Sequence, residues 1–249
     1  MQVLYTIPTG ANPSGATLSD GRRREIYDIC REHDCLIIED DPYYFLQFSE
    51  NRKPSFFSMD EDGRVLRFDS FSKLISSGIR IGFVTGPKDL IERINLHSQA
   101  SNLHASGLSQ AVIHCLLNEW GISPSSKSEN HVAFEEHVAQ VRSFYHSQRN
   151  MFCDAAESVG LSEVVNYSIP TAGMFSWMHV HDHIGIDDTA VMLKERAPER
   201  KFLMVPGSAF FVGNPPSRYM RAAFSTASGT EMKTALERLK GLLQETAKY

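Results

Sequence analysis

Four groups of residues in this sequence have the composition of a ligand site. They are Asn12-Pro13-Ser14-Gly15, Asp40-Asp41-Pro42-Tyr43, Ser70-Phe71-Ser72-Lys73 with Arg80 seven residues later, and Arg221 in an otherwise apolar strand. The hydroxyls and the guanidinium of the third group could bind a phosphate, whose oxygens suit such donors. A lysine held on a structured loop could instead attack a carbonyl carbon. On residue types alone, both chemistries remain open for Lys73.

Each group also has an interpretation without a ligand. Asp40, Asp41 and Pro42 favour a turn for local reasons, and Asn12 beside Pro and Gly is typical of a turn as well. The serine and lysine loop could simply be solvated. Arg221 needs an anionic partner because unpaired buried charge is costly, and that partner could be a substrate carboxylate or an acidic side chain of the same domain.

The elements predicted around the first groups alternate between strand and helix. A short strand, Val3 to Tyr5, precedes Asn12, and a helix capped by Ser19 is predicted to run to Asp34 with Ile26 and Ile29 facing inward. The apolar run from Cys35 to Glu39 reads as a strand buried on both faces. Asp40 would then lie at the carboxyl end of a parallel strand, where open α/β sheets bind ligands.

The rest of the chain predicts a second, α+β part. Residues Gly121–Asn130 are rich in Ser, Pro, Lys and Asn without periodicity, which predicts a surface loop and a boundary near residue 130. A long helix ending at Gly160 follows. Further elements are predicted as strands at 65–68, 81–85, 164–167, 174–180, 202–205 and 219–224, and as helices after Pro87, at 107–118, at 188–197 and from the capping box Ser228/Glu231 onward.

Composition argues against several classes of function. The 25 basic and 30 acidic residues leave a net charge of −5, which disfavours nucleic acid, and no apolar run approaches the roughly 20 residues that span a bilayer. The four cysteines form no CxxC pair, which predicts a reducing compartment. We expect a cytoplasmic location, with a mitochondrial one open if a transit peptide lies upstream.

Two further kinds of site lack support in the sequence. His179, His181 and His183 could face one side of a strand, but no Cys or Glu stands at zinc-ligand spacing, so no metal site is predicted. The phosphate-binding patterns GxGxxG and Walker A and the hydrolase pattern GxSxG are absent.

Taken together, the motifs resemble the fold-type I pyridoxal-phosphate (PLP) aminotransferases of classes I and II. Asn-Pro-x-Gly, Asp-x-x-Tyr, Ser-x-Ser-Lys with a downstream Arg, and Arg-x-x-Phe-Ser occur here in the family's order and near its spacings. Within the family, residues 39–48, 76–83 and 172–175 look most like the kynurenine/α-aminoadipate aminotransferases. The likeness covers nearly the whole chain.

The resemblance implies a catalytic role for three residues. Lys73 would hold PLP as a Schiff base and, once free, would move the α-proton of the substrate as general acid and base. Asp40 would pair with the pyridine nitrogen of the cofactor. Tyr43, together with Asn12, would contact the 3′-oxygen of the ring.

The resemblance also implies how phosphate and substrate are bound. The phosphate would be held by Ser70, Ser72 and Arg80. Arg221 would take the substrate α-carboxylate in a bidentate grip, and Asn12 would also bind the substrate. The reaction would move an amino group between 2-oxoglutarate and 2-aminoadipate, kynurenine or another large amino acid, in a homodimer.

The same resemblance predicts the domains. Residues 1–130 would form the C-terminal part of a three-layer α/β large domain of the PLP-transferase, aspartate aminotransferase-like kind, incomplete at its N-terminus. Residues 131–249 would form the smaller α+β domain. Because family members carry a long stretch before the Asn-Pro-x-Gly motif, a truncated non-catalytic chain is one alternative, and the PLP-binding domain of a transcriptional regulator is another.

Overall fold

The computed structural model describes residues 2–122 and 131–246. These residues form two compact units, one of residues 2–9, 17–122 and 131–143 and one of residues 10–16 and 144–246, called unit 1 and unit 2 below. The boundary predicted near residue 130, and most of the loop predicted over 121–130, lie outside the described residues. A division of the chain at residue 130 therefore stays a prediction.

A four-stranded sheet in the order β1-β2-β3-β4 organises unit 1. Its strands are β1 (Gln2–Thr6), β2 (Cys35–Asp40), β3 (Val65–Ser70) and β4 (Gly82–Thr85). The first three are parallel, and β4 is antiparallel to β3. Parallel pairing means that β2 and β3 end at the same edge of the sheet, where Asp40 and Ser70 lie.

Helix α1 (Asp20–Glu32) packs on this sheet through a face that the sequence predicted only in part. The Ser19 cap is confirmed, since its hydroxyl accepts from the Arg22 amide. Ile26 is partly buried against the core, as predicted, but Ile29 is 55% exposed, and the fully buried positions are Arg23, Tyr27 and Cys30. Arg23 can be buried because its guanidinium donates to the carbonyls of Pro8, Leu18 and Pro54 and to the Thr9 hydroxyl.

Two further helices of unit 1, α2 (Lys88–Ser101) and α3 (Gly107–Glu119), leave large apolar side chains in contact with solvent. The exposed side chains on or between these helices are Leu96, Leu103, Leu108 and Val112. The long helix α4 (Val132–Ser158) follows, with residues 132–143 in unit 1 and 144–158 in unit 2. No helix in the described ranges is long and apolar enough to cross a bilayer.

Unit 2 is built on an antiparallel sheet in the order β5-β6-β8-β7. Its strands are β5 (Val165–Tyr167), β6 (Phe175–Val180), β7 (Val205–Pro206) and β8 (Tyr219–Ala223). Between β6 and β7 the chain forms α5 (Thr189–Val191), a π-helical turn (Met192–Arg196) and α6 (Ala197–Glu199). The buried core of the unit is apolar, with Met178, Val180, Met220, Phe224 and Leu239 all inaccessible to solvent.

The last helix, α7 (Gly229–Thr246), begins as predicted. The amide of Ser228 donates to the Glu231 carboxylate at 2.8 Å, and the amide of Glu231 donates to the Ser228 hydroxyl at 3.3 Å. This is the reciprocal capping box. The Ser228 hydroxyl also donates to this carboxylate at 2.7 Å, and the hydrogen bonds from the Ser228 amide and hydroxyl lower the pKa of Glu231.

The strand predicted over 202–205 was mostly wrong. Only Val205 and Pro206 pair with β8. The amide of Phe202 donates instead to the carbonyl of Ala197, at the end of the preceding helical segment. Phe202 is therefore buried against a helix end, and an apolar run alone does not distinguish that position from a strand.

Candidate active site

Asp40 is the last residue of β2 and Ser70 the last residue of β3. The two strands are in parallel register, with Asp40 opposite Phe68. The predicted carboxylate and the predicted phosphate loop thus leave the same edge of the unit 1 sheet, as the sequence indicated.

Asp40 contacts a residue that the sequence reasoning missed. The hydroxyl of Tyr5 donates to Asp40 Oδ2 at 2.5 Å. Burial, and then the hydrogen bond and charge of Asp40, raise the pKa of Tyr5 to about 12, so this hydroxyl keeps its proton near neutral pH. The pairing of β1 with β2 explains this contact. Tyr5 is opposite Ile38, and Ile38 shares a strand face with Asp40, two residues further along β2.

Asp41 occupies a different environment from Asp40, although the two are adjacent. Asp41 is 1% exposed, and its Oδ2 accepts from the Thr9 hydroxyl at 3.0 Å. Its other oxygen, Oδ1, has no hydrogen-bond partner among the described residues. Burial raises the pKa of Asp41 to about 7, against the opposing charges of Arg67 and Arg23. Asp41 is a structural carboxyl beside the site.

This raised pKa predicts how stability depends on pH. Between about pH 4 and pH 7 the folded chain holds a proton on Asp41 that the unfolded chain releases, so the free energy of unfolding falls as pH rises, by up to about 1.4 kcal/mol per pH unit. Urea unfolding at several pH values in this range measures the slope. Asp41→Asn, which cannot titrate, should lack this part of the decline. Parallel pH profiles for the two proteins would contradict the prediction.

Tyr43 lies three residues beyond Asp40 and is 6% exposed. It precedes a single helical turn, Tyr44–Leu46, whose Leu46 amide donates to the Tyr43 carbonyl at 2.8 Å. The turn anticipated for this segment is therefore present. It keeps Tyr43 on a structured connection directly after the strand that carries Asp40.

The loop between β3 and β4 brings Ser70, Ser72, Lys73 and Arg80 to one end of a strand pair. Ser70 is opposite Gly82, and the amide of Phe71 donates to the Ile81 carbonyl at 3.1 Å. Ser72 lies one residue beyond this bond and Arg80 one residue before it. The amide of Ser72 donates to the Ser70 hydroxyl at 3.1 Å, which orders the loop further.

A glycine is needed where this strand pair closes. A Cβ built on Gly82 would lie 2.6 Å from the carbonyl oxygen of Asp69, too close for any side chain. Arg80, two residues earlier, adopts a left-handed backbone conformation with φ of 53°. That conformation turns the chain before β4 begins, and the Arg80 side chain stays exposed with its guanidinium donating to the Ser77 carbonyl.

The Lys73 amine differs from the Arg67 guanidinium in its hydrogen-bond partners. Arg67 donates two hydrogen bonds of 2.8 Å to Asp69, whereas the Lys73 amine makes no hydrogen bond or ion pair with any described residue. Lys73 is half-buried in the turn after Ser72. A partly desolvated amine without a carboxylate partner is available to react with a carbonyl group.

Unit 2 holds the other two predicted residues, Arg221 and Asn12. Arg221 lies on β8, and its Nη1 donates to Asn12 Oδ1 at 2.6 Å. Asn12 belongs to a tight loop in which the amide of Gly15 donates to the Ala11 carbonyl at 2.6 Å. Its peptide bond to Pro13 is cis.

Two glycines fix this loop against the strand region of unit 2. Gly10 has φ of 52° and Gly173 has φ of 77°, both in the left-handed region. A Cβ on Gly10 would lie 2.7 Å from the Gly173 amide nitrogen, and a Cβ on Gly173 would lie 2.8 Å from the Gly10 carbonyl oxygen. The backbones are in contact, so both positions require glycine.

The predicted site residues therefore form two groups. Asp40, Tyr43, Ser70, Ser72, Lys73 and Arg80 follow strand ends of the unit 1 sheet, and Asn12 and Arg221 are hydrogen-bonded to each other in unit 2. Tyr5 extends the first group. Two aromatic side chains in contact with Arg221, Phe175 and Phe210, extend the second, with the Arg221 guanidinium carbon 4.3 Å and 5.0 Å from their ring centroids.

A family model for aminotransferases of class I and II matches residues 7–239. The chain belongs to this family. Among its aminotransferase relatives, the mitochondrial kynurenine/alpha-aminoadipate aminotransferase of Mus musculus is 47% identical over 244 residues. That match covers 98% of the chain but 54% of the mouse protein, so the chain spans about half the length of this relative.

Solved aminotransferase structures confirm the predicted α/β fold. The kynurenine aminotransferase of Pyrococcus horikoshii, in complex with PMP, is 29% identical with a TM-score of 0.85 over 98% of this chain and 56% of that one. LysN, the alpha-aminoadipate aminotransferase of Thermus thermophilus, is 28% identical with a TM-score of 0.87 over 98% of this chain and 59% of that one.

Proposed function

We propose that this chain takes part in PLP-dependent transfer of an amino group between an amino acid and 2-oxoglutarate. The observation that carries the proposal is the Lys73 amine, which has no partner among the described residues and stands beside a loop of hydroxyl and guanidinium donors. Lysine is the residue type that binds a carbonyl-bearing cofactor through its amine.

Unit 1 contains a candidate partner for each of three polar groups of PLP. Ser70, Ser72 and Arg80 offer two hydroxyls and a guanidinium to a phosphate. Asp40 offers a carboxylate to a protonated ring nitrogen, and Tyr43 offers a phenol. When bound, PLP supplies an electron sink for the charge left as the amino-acid α-proton departs.

Asp40 would keep the ring nitrogen protonated by placing a negative charge next to it. The hydroxyl of Tyr5, 2.5 Å away, occupies one lone pair of Oδ2 and fixes the plane of the carboxylate. Since Tyr5 stays protonated near neutral pH, it remains a donor over the working range. Tyr5 would thus orient Asp40 without reacting itself.

Lys73 would have two tasks. Its amine would attach the cofactor, and after an amino acid displaces it, the free amine would carry the proton removed from the substrate Cα. A residue with a strong ion-pair partner would perform neither task well, because its amine would be held away from the reacting atoms.

Arg221 would bind the α-carboxylate of the amino acid and of the oxo acid. Its guanidinium already donates to Asn12 at 2.6 Å, so Asn12 fixes one edge of the group. A planar guanidinium held in this way would suit the bidentate geometry in which arginine binds a carboxylate.

The amino-acid substrate proposed is 2-aminoadipate, kynurenine or another large amino acid. The named activities of the mouse and Pyrococcus horikoshii relatives support this choice. We further propose a homodimer, because exposed Leu96, Leu103 and Leu108 on one stretch of unit 1 would be covered by a second copy. A mitochondrial location follows the mouse relative's name.

The test is formation of glutamate. The purified chain, incubated with PLP and desalted, is supplied with 2-oxoglutarate and 2-aminoadipate, kynurenine or alanine. Glutamate should form faster with the two large amino acids than with alanine. A folded chain that retains no PLP and forms no glutamate with any of them would overturn the proposal and favour a non-catalytic chain. Light scattering on the same sample would decide the dimer.

A further inference from the structure

The guanidinium of Arg221 packs against two aromatic rings of unit 2. Its central carbon lies 4.3 Å from the ring centroid of Phe175 and 5.0 Å from that of Phe210. Phe175 belongs to β6 and is 7% exposed, whereas Phe210 ends the helical turn Gly207–Phe210. The two rings reach Arg221 from separate segments of the chain.

Trp177 holds one of these rings in place. It is directly opposite Arg221 in the pairing of β6 with β8. Its ring meets the Phe210 ring edge-on, with centroids 5.6 Å apart and planes at 86°. The Trp177 ring also stacks on the ring of Tyr219, which lies on β8, with centroids 5.2 Å apart and planes at 10°. Phe210 therefore packs against a rigid aromatic pair, although it does not belong to the sheet.

Stacking and hydrogen bonding act on different parts of the guanidinium. A ring face attracts the flat side of the cation, while the N–H groups point outward in the plane. In Arg221 one in-plane donor is already fixed on Asn12. The combination restrains a long side chain that would otherwise sample many rotamers.

We propose that Phe175 and Phe210 are positioning residues that hold Arg221 in the orientation needed to bind the α-carboxylate of the substrate. This inference rests on the proposed function. Because the carboxylate is bound equally in substrate and transition state, loosening Arg221 should raise KM and leave kcat nearly unchanged.

The test compares Phe210→Leu and Phe175→Leu with two further variants. Phe210→Tyr keeps a ring over the cation. Phe211→Leu removes a neighbouring phenylalanine that is 44% exposed and serves as the matched control. We expect each leucine variant to raise KM for 2-aminoadipate roughly 3- to 30-fold, with kcat within about twofold of the wild type. Phe210→Tyr should restore KM, and Phe211→Leu should leave it unchanged.

A binding measurement keeps the inference independent of turnover. 3-Phenylpropanoate carries a carboxylate and an aromatic body but no amino group, so it binds without reacting. Calorimetric titration should show its affinity falling by the same factor in both leucine variants. Circular dichroism identifies a variant that has lost its fold, in which case the other leucine variant decides.

The outcomes separate the inference from the function on which it rests. Unchanged KM and unchanged probe affinity in the leucine variants, with both values impaired in Arg221→Gln, would overturn the positioning role and leave the proposed function intact. A fall in kcat at constant KM would overturn it too. Probe affinity unchanged in Arg221→Gln would instead count against the proposed carboxylate site.

Discussion

Replacing Lys73 with alanine should lower amino-group transfer by at least the 10²- to 10⁴-fold, in order of magnitude, that a positioned acid–base group contributes. The variant loses both the attachment of PLP and the proton carrier, while the loop that holds Ser70 and Ser72 keeps its backbone hydrogen bonds. Glutamate formation measures the rate. Borohydride treatment followed by peptide mass analysis shows whether PLP is attached at residue 73.

The control for this experiment is Lys88→Ala. Lys88 is an exposed lysine at the start of α2 that pairs with Glu92 at 3.8 Å. Its replacement removes the same charge from a residue that has no proposed role in the reaction. Lys88→Ala should keep full activity. The assignment of Lys73 fails if Lys73→Ala is as active as this control, or if borohydride attaches PLP to another lysine.

Replacing Asp40 with asparagine should reduce the rate on the order of 10²- to 10³-fold, the usual cost of removing one preorganised electrostatic group. The amide has nearly the shape of the carboxylate and can still accept from the Tyr5 hydroxyl, but it carries no charge. The ring nitrogen of PLP would then lose its proton more readily. Turnover should fall much more than PLP affinity, which is measured by fluorescence titration.

Asp34→Asn provides the matched comparison. The Asp34 side chain is fully exposed, and its φ of 50° is one that asparagine adopts readily. We expect this variant to match the wild type in rate and in PLP affinity. Equal rates for Asp40→Asn and Asp34→Asn would contradict the role of Asp40.

The sequence predicted the site best where it rests on a strand end. Asp40 ends the apolar run that forms β2, and Ser70 ends the next strand. The predicted burial of both faces of β2 was wrong: Ile37 and Glu39 are inaccessible to solvent, whereas the alternate positions on the other face are partly exposed. Helix starts with a capping side chain, at Ser19 and Ser228, were also predictable because the cap is local. Local sequence features therefore placed Asp40 and Ser70 at neighbouring strand ends, while their roles toward a cofactor stay predictions.

The residues that the sequence did not reveal act through tertiary contacts. Tyr5 reaches Asp40 only because β1 and β2 pair in one particular register. Arg23 is buried, against the preference of its residue type, because four oxygens from three segments surround it. Phe210 contacts Arg221 from a helical turn rather than from a neighbouring strand. None of these contacts has a periodicity or motif that precedes the fold.

The hydrogen bond between Asn12 and Arg221 joins residues 209 positions apart. During synthesis at about 5–20 residues per second, roughly 10 to 40 s pass between the emergence of these two residues. Segment Gly10–Ala16 therefore leaves the ribosome well before its partners Gly173 and Arg221. Unit 2 consequently cannot complete its fold until β8, which carries Arg221, has been synthesised.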